Sequence, residues 1–96
     1  MLRPNFTPRF NRDVKRLSKK HVDLTPLNEV MKLIAENTEA TDKVLCQRHN
    51  KHLLKGEWEG SYECHIANAG DWLLIWMQTD ELAVFERTGT HDDIFG

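Results

Sequence analysis

Side chains suited to proton transfer gather in the second half of this 96-residue chain, or just before it: His52, Glu63, His65, Asp71 and His91. Arg87 adds a cation at the end of an apolar run. In-line attack on a phosphodiester needs a base for the nucleophile, an acid for the leaving oxygen and a cation for the developing charge. RNA carries its own nucleophile, the 2′-hydroxyl, so this set fits metal-free RNA cleavage. The same spacing also fits ordinary surface histidines.

The segment FERTGTH at 85–91 concentrates this chemistry. We expect its strand to deliver Arg87 to the phosphate, Gly89 to allow a turn, and His91 to fold back over the leaving oxygen. Arg87 has other possible partners in Glu86 and Asp71. His91 can equally belong to a frayed tail.

Two amphipathic helices should position the sheet that carries this set. Thr7 and Thr25 each precede a proline, a pattern typical of a helix start. Apolar residues then recur at helical spacing, and Asn37 is a plausible end of the second helix. With 21–24 as the connection, the two helices form a hairpin. Residues 37–55 are polar and read as irregular, and residues 1–6 fit an edge strand.

From Trp58 the apolar period changes to two, which is typical of strands. We predict strands at 58–66, 71–77 and 82–87, with a turn at 78–81. The middle strand is apolar after its first residue and should be buried on both faces. We expect Trp58 and Trp76 to be core or near-core residues, and Trp72 to face the interior. The fold class is therefore α+β, a single domain over 1–96 with a helical hairpin packed on a small, mainly antiparallel sheet.

Charge is divided unevenly along the chain, although the net charge is only −2. Residues 1–55 hold 12 Lys and Arg against 6 Asp and Glu, whereas residues 56–96 hold 1 against 9. The basic first helix can meet phosphates or an acidic partner, and it can also be a solvated face. The candidate RNA-binding residues on it are Arg12, Lys15, Arg16 and Lys19.

Other bulk features favour a cytoplasmic protein without a cofactor. Two cysteines fit a reducing compartment better than a disulfide scaffold. No apolar run approaches the ~20 residues of a membrane span, and the N-terminus lacks the apolar centre of a secretory signal. No glycine-rich phosphate cradle is present.

An ordered series of motifs resembles the YafQ branch of the RelE/ParE toxin superfamily over nearly the whole chain. The motifs are HLLKGEWEG at 52–60, ECH at 63–65, DWLLI at 71–75 and FERTGTH at 85–91, followed by Phe95. Two departures stand out: Tyr62 replaces a frequent arginine, and the loop at 67–70 looks longer and lacks a proline.

The resemblance implies a type II toxin that cuts translated mRNA in the ribosomal A site, leaving a 2′,3′-cyclic phosphate and a 5′-hydroxyl. It implies a catalytic set of His52, His65, Asp71 and His91, supported by Glu63, with Phe95 stacking on a base. We expect His91 to be the general acid and Asp71 the base. His52 and His65 would share base or phosphate-orienting work, and Arg87 would stabilise charge.

The implied partners are the ribosome, mRNA and a small DinJ/RelB-type antitoxin that folds an acidic segment over the basic surface. A toxin–antitoxin heterotetramer is expected, with operator DNA bound only through that complex and no membrane contact.

Three alternatives compete with the nuclease hypothesis. Cys46, His49 and His52 fall at i, i+3 and i+6, with Cys64 and His65 later, and such side chains can bind zinc, although the spacing matches no paired-ligand motif. A ParE-like topoisomerase inhibitor would share the fold but lack the histidine set. A pure antitoxin-binding module would have no catalytic activity.

Overall fold

The computed structural model describes residues 1–67 and 70–96. In chain order the elements are β1 (Arg3–Phe6), α1 (Pro8–Lys19), α2 (Thr25–Glu36), α3 (Glu39–His49), β2 (His52–Leu53), a 3₁₀ turn (Gly56–Trp58), β3 (Tyr62–His65), β4 (Leu73–Gln78), β5 (Leu82–Gly89) and α4 (His91–Phe95). The strand order is β1-β5-β4-β3-β2. Only the β1–β5 pairing in the described sheet is parallel. The predicted α+β fold, a helical hairpin on a mainly antiparallel sheet, is confirmed.

Both predicted helices are present, although Thr25 is the first residue of the second helix and does not cap it. The Thr7 hydroxyl accepts a hydrogen bond from the Phe10 N–H at 3.0 Å, which caps α1, and Pro8 is its first residue. α2 begins at Thr25 and ends before Asn37, whose φ of 52° is left-handed. Asparagine tolerates this conformation better than most residues, so it stops the helix. Residues 1–6 do contain an edge strand, β1.

The prediction that residues 37–55 are irregular was wrong. α3 occupies most of this segment, and its Thr38 cap exchanges hydrogen bonds with Thr41. Only Thr41 and Leu45 are buried along α3, so its apolar stripe is too narrow for a periodicity test to detect. The short strand β2 follows and pairs antiparallel with β3.

The predicted strands are present, but their first and last residues differ from the prediction. The segment predicted as a strand over 58–66 forms a 3₁₀ turn and then only Tyr62–His65. β5 continues two residues beyond the predicted end, to Gly89. The predicted longer loop at 67–70 falls largely outside the described residues.

β4 separates two apolar layers, as its unbroken apolar sequence predicted. Leu74 and Trp76 face the main core, which α1, α2 and α3 cover. Leu73 and Ile75 face the opposite side. Trp72 packs against the main core as expected. Within the described chain, no helix has the length and apolar character needed to cross a membrane.

Candidate active site

The sheet face opposite the main core has a small apolar layer of its own. Leu73 and Ile75 of β4 pack there with Ile94 of α4, and Leu54 and Trp58 cover their edges. Trp58 is therefore only near-core, whereas Trp76 is fully buried. This second layer gives polar side chains from neighbouring strands and from α4 a fixed platform.

Strand register places most of the predicted catalytic side chains on this platform. His52 lies opposite Glu63, Glu63 opposite Ile75, and Ile75 opposite Arg87. Directly opposed residues project from the same face of a sheet. His65, two residues after Glu63, also shares that face and lies opposite Leu73.

His52 and Glu63 form one polar pair of the site. His52 Nε2 lies 3.4 Å from Glu63 Oε1. Its Nδ1 lies 2.7 Å from the Asn50 carbonyl oxygen, so both ring nitrogens face acceptors. Glu63 is only 5% exposed, and a buried carboxylate needs a partner of this kind. The His52 ring is therefore held between two acceptors.

Asp71 and His91 form the second pair. The His91 backbone N–H donates to both Asp71 carboxylate oxygens, at 3.0 and 3.1 Å, and the His91 ring Nδ1 contacts Oδ1. The hydrogen bond from the His91 backbone N–H is the main reason that the pKa of Asp71 is lowered. Because Nδ1 faces the carboxylate, Nε2 is the nitrogen left to meet a substrate.

His91 does not lie on a frayed tail, because it begins the short helix α4. Thr90 caps this helix, and its hydroxyl accepts from the Asp93 N–H while the Asp93 carboxylate accepts from the Thr90 N–H. Gly89 provides the turn before the cap, with φ of 151°. A Cβ on Gly89 would lie 3.0 Å from Asp93 Oδ2, so the close approach of α4 also requires glycine.

Aromatic rings connect the two sides of the site. The His65 and His91 ring centroids are 6.4 Å apart, and Phe95 lies 6.2 Å from His91. Trp58 meets Phe95 edge-on at 6.4 Å. Phe95 is 46% exposed, which leaves much of its surface open to a ligand. The structure therefore brings His65, His91 and Phe95 together as the sequence predicted.

Arg87 was predicted to reach the phosphate as a free cation, but its guanidinium is held in a buried ion pair. Its Nε and Nη2 donate to the Asp13 carboxylate at 2.8 and 3.1 Å, and Nη2 also donates to the Asp93 carbonyl oxygen at 3.2 Å. Its side chain is only 7% exposed. These hydrogen bonds to Asp13 raise the pKa of Arg87. The suggested partners Glu86 and Asp71 were wrong, since Ser61 donates to Glu86 and His91 to Asp71.

The basic residues of α1 divide into two groups. Arg12, Lys15 and Lys19 are exposed, as a surface that meets phosphates or an acidic partner requires. Arg16 instead lies 3.2 Å from Asp13 and 3.7 Å from Asp93, so it belongs to the ion-pair network beneath α4.

The metal alternative finds no geometric support in residues 1–67 and 70–96. No group of three or more His, Cys, Asp or Glu side chains there could hold a metal ion. His49 Nδ1 lies 2.8 Å from the His65 carbonyl oxygen. Cys46 is exposed and Cys64 is buried, and burial raises the pKa of the Cys64 thiol to about 12.

Sequence reasoning missed one functional candidate, Asp13, and the pairing of Asp71 with His91. Asp13 lies among the basic residues near the start of the chain. Asp13 lies on the buried side of the amphipathic helix α1, and a buried acidic residue there indicates a specific partner.

A helical hairpin on a small sheet is the fold of a class of small bacterial toxins, and in this chain it carries a polar face of histidines and carboxylates. A family model described as "Bacterial toxin of type II toxin-antitoxin system, YafQ" matches residues 2–96. The chain therefore belongs to the YafQ family of type II toxins, and the resemblance inferred from its motifs is confirmed.

Individual relatives agree with this assignment. The mRNA interferase toxin YafQ of Escherichia coli K12 is 37% identical over 91 residues, which cover 95% of this chain and 92% of that protein. YafQ in the crystal structure of the E. coli DinJ–YafQ complex is 36% identical with a TM-score of 0.81, covering 99% of this chain and 98% of that chain. A copper-bound mutant toxin from Helicobacter pylori is 29% identical with a TM-score of 0.84, covering 99% of this chain and 100% of the other.

Proposed function

We propose that this toxin is an mRNA interferase, a ribosome-dependent endoribonuclease that cleaves translated mRNA by attack of the 2′-hydroxyl on the adjacent phosphodiester. The Asp71–His91 pair carries the proposal. A carboxylate that holds Nδ1 and the backbone of one histidine orients Nε2 for proton transfer. The E. coli relatives are mRNA interferase toxins, which supports the same reaction for this chain.

His91 is assigned as the general acid that protonates the 5′-leaving oxygen. Asp71 fixes its tautomer and the orientation of its ring, as carboxylates do for histidines in other hydrolytic sites. This assignment revises the expectation that Asp71 is the base. Both Asp71 oxygens already accept hydrogen bonds from His91, so a proton from a 2′-hydroxyl would have to displace them.

His65 is assigned as the general base. In the described part of the chain its ring has no hydrogen-bond partner, and it lies 6.4 Å from the His91 ring. Two rings this close can serve the attacking and the leaving oxygen of one phosphodiester. His52 is less suited to be the base, because Asn50 and Glu63 occupy its two nitrogens. We assign His52, which Asn50 and Glu63 hold in place, to a positioning role beside the catalytic rings rather than to proton transfer.

The remaining predicted residues fit binding roles. Phe95 is exposed beside His91 and can stack on a base next to the scissile bond. Arg12, Lys15 and Lys19 form an exposed basic surface that meets ribosomal or messenger RNA. Arg87 is not free to meet a phosphate, because its guanidinium is held in the buried pair with Asp13.

A DinJ-type antitoxin is the proposed protein partner, as in the E. coli complexes. Its acidic segment would cover the basic α1 surface and exclude RNA. We further propose a heterotetramer that binds operator DNA through the antitoxin, and action in the cytoplasm, where translating ribosomes are found. Light scattering of the co-purified complex tests the stoichiometry.

The central experiment is primer extension on a translated mRNA with purified ribosomes. Wild-type protein should produce in-frame cuts, and His91→Asn should not. The matched control is His21→Asn, because His21 is exposed at a left-handed position that asparagine tolerates. Cuts should persist with a chelator of transition metals. Failure of well-folded wild-type protein to cut, with or without ribosomes, would support an antitoxin-binding or topoisomerase-directed module instead.

A further inference from the structure

Asp13 of α1 is a buried carboxylate surrounded by hydrogen-bond donors. It is 2% exposed. Arg87 Nε, Arg87 Nη2, the Thr88 N–H and Arg16 Nη2 donate to it at 2.8, 3.1, 3.1 and 3.2 Å. Each oxygen accepts two hydrogen bonds, so the carboxylate is fully used.

Stability alone does not account for this arrangement. A buried ion pair often contributes little net stability, because desolvating both charges offsets their attraction. In some proteins such a pair also fixes one geometry. Here the geometry fixed is the end of β5, just before Gly89 and the turn into α4.

The network continues from Asp13 into α4. Arg87 Nη2, which donates to Asp13, also donates to the Asp93 carbonyl oxygen at 3.2 Å. Arg16 bridges the same two residues, at 3.2 Å from the Asp13 carboxylate and 3.7 Å from that of Asp93. A helix of five residues is not stable by itself, so its position depends on such external contacts.

We propose that Asp13 is a positioning residue for His91. Through Arg87 and Arg16 it holds α4 against the end of β5, and α4 holds the His91 ring at the scissile phosphate. The proposal rests on the proposed nuclease function, in which His91 is the general acid. Asp13 does not itself contact substrate.

The test compares Asp13→Asn with Phe10→Leu. The asparagine side chain would keep the shape of the carboxylate but place an amide NH₂ against arginine donors. Phe10 is buried in the same helix outside this network, so its variant controls for lost packing. We expect Asp13→Asn to lower kcat roughly 10- to 100-fold with KM changed less than about threefold, since small misplacement of a catalytic group has such effects. Phe10→Leu should leave the kcat of the folded protein near that of wild type.

A modified substrate separates positioning from general weakening. In mRNA with sulfur as the bridging 5′ atom, the leaving thiolate departs without needing a proton. The defect of Asp13→Asn should therefore largely disappear on this substrate, because the variant acts through the general acid. A kcat defect of equal size on both substrates would overturn the proposal.

Hydrogen exchange tests the anchor without relying on nuclease activity. The amides of residues 90–96 should exchange faster in Asp13→Asn than in Phe10→Leu at matched temperature below unfolding. Equal exchange in both variants would overturn the proposal even if wild-type protein cuts RNA. If Asp13→Asn exchanges faster than Phe10→Leu but wild-type protein does not cleave RNA, only the proposed function is refuted. If Asp13→Asn does not fold, Arg87→Lys replaces it, because lysine cannot bridge two acceptors in the same fork geometry.

Discussion

Replacing Asp71 with asparagine should separate an orienting role from a base role. The carboxylate accepts from the His91 backbone N–H through both oxygens and contacts the His91 ring Nδ1. Asparagine offers only one acceptor oxygen to these two groups of His91, and its other terminal group is an NH₂ donor. The His91 ring then loses the partner that fixes its tautomer and its orientation.

The size of this effect follows from the exposure of the pair. The side chains of His91 and Asp71 are 54% and 48% exposed. In a buried Asp–His pair the same substitution costs about 10⁴-fold in kcat. Water can partly replace the lost contacts at an exposed site and screens the charge, so we expect a loss of about 100-fold for Asp71→Asn.

The assay is single-turnover cleavage of ribosome-bound mRNA, with Asp80→Asn as the matched control. Asp80 is exposed in the β4–β5 turn, away from the site. On mRNA with a 5′-bridging sulfur, Asp71→Asn and His91→Asn should recover most of the lost rate, whereas His65→Asn should not. An Asp71→Asn rate that stays low on the sulfur substrate would refute the orienting role and restore Asp71 as the base.

Three further predictions concern the framework of the site. Cys46 should react with a thiol reagent in the native protein, whereas Cys64, buried with its pKa raised to about 12, should react only on unfolding; equal rates in a native labelling time course would contradict this. Gly89→Ala should speed hydrogen exchange in α4 and lower kcat roughly tenfold or more, because the new Cβ would lie 3.0 Å from Asp93 Oδ2 at a left-handed φ; unchanged exchange would show that α4 tolerates the side chain. The pKa of Asp93 is lowered, mainly by the hydrogen bond from the Thr90 N–H, so its stabilisation is complete above the ordinary value of 3.8 and is lost as the pH falls below it. Asp93→Asn should therefore flatten the acid limb of a circular-dichroism pH titration, and an unaltered limb would argue against this linkage.

Local sequence signals were sufficient for the elements that carry strong patterns. The Thr7-Pro8 start of α1 and the buried strand β4 each depend on neighbouring residues, so both were predicted, although β4 runs over Leu73–Gln78 rather than 71–77. α3 lacked a broad apolar stripe, and α4 was too short for periodicity to detect. Their capping residues, Thr38 and Thr90, were the signals available.

It was easier to predict which residues share the face of the site than to predict which of them contact one another. His52, Glu63 and His65 share a face because strand alternation requires it. The Asp13–Arg87 pair joins residues 74 apart in sequence, and no local pattern specifies such a contact. Its formation depends on the way α1 crosses the end of β5, which only the assembled fold determines.

Chemical dissection of the scissile nucleotide tests the central claim most directly. Wild-type protein and ribosomes would be given mRNA with a single 2′-deoxy nucleotide on the 5′ side of the mapped cleavage site. We expect this change to abolish the cut and a 2′-deoxy nucleotide one codon away to leave it intact. The unmodified product should carry a 2′,3′-cyclic phosphate by mass spectrometry. Cleavage of the 2′-deoxy site at an undiminished rate would contradict 2′-hydroxyl attack and with it the roles proposed for His65 and His91.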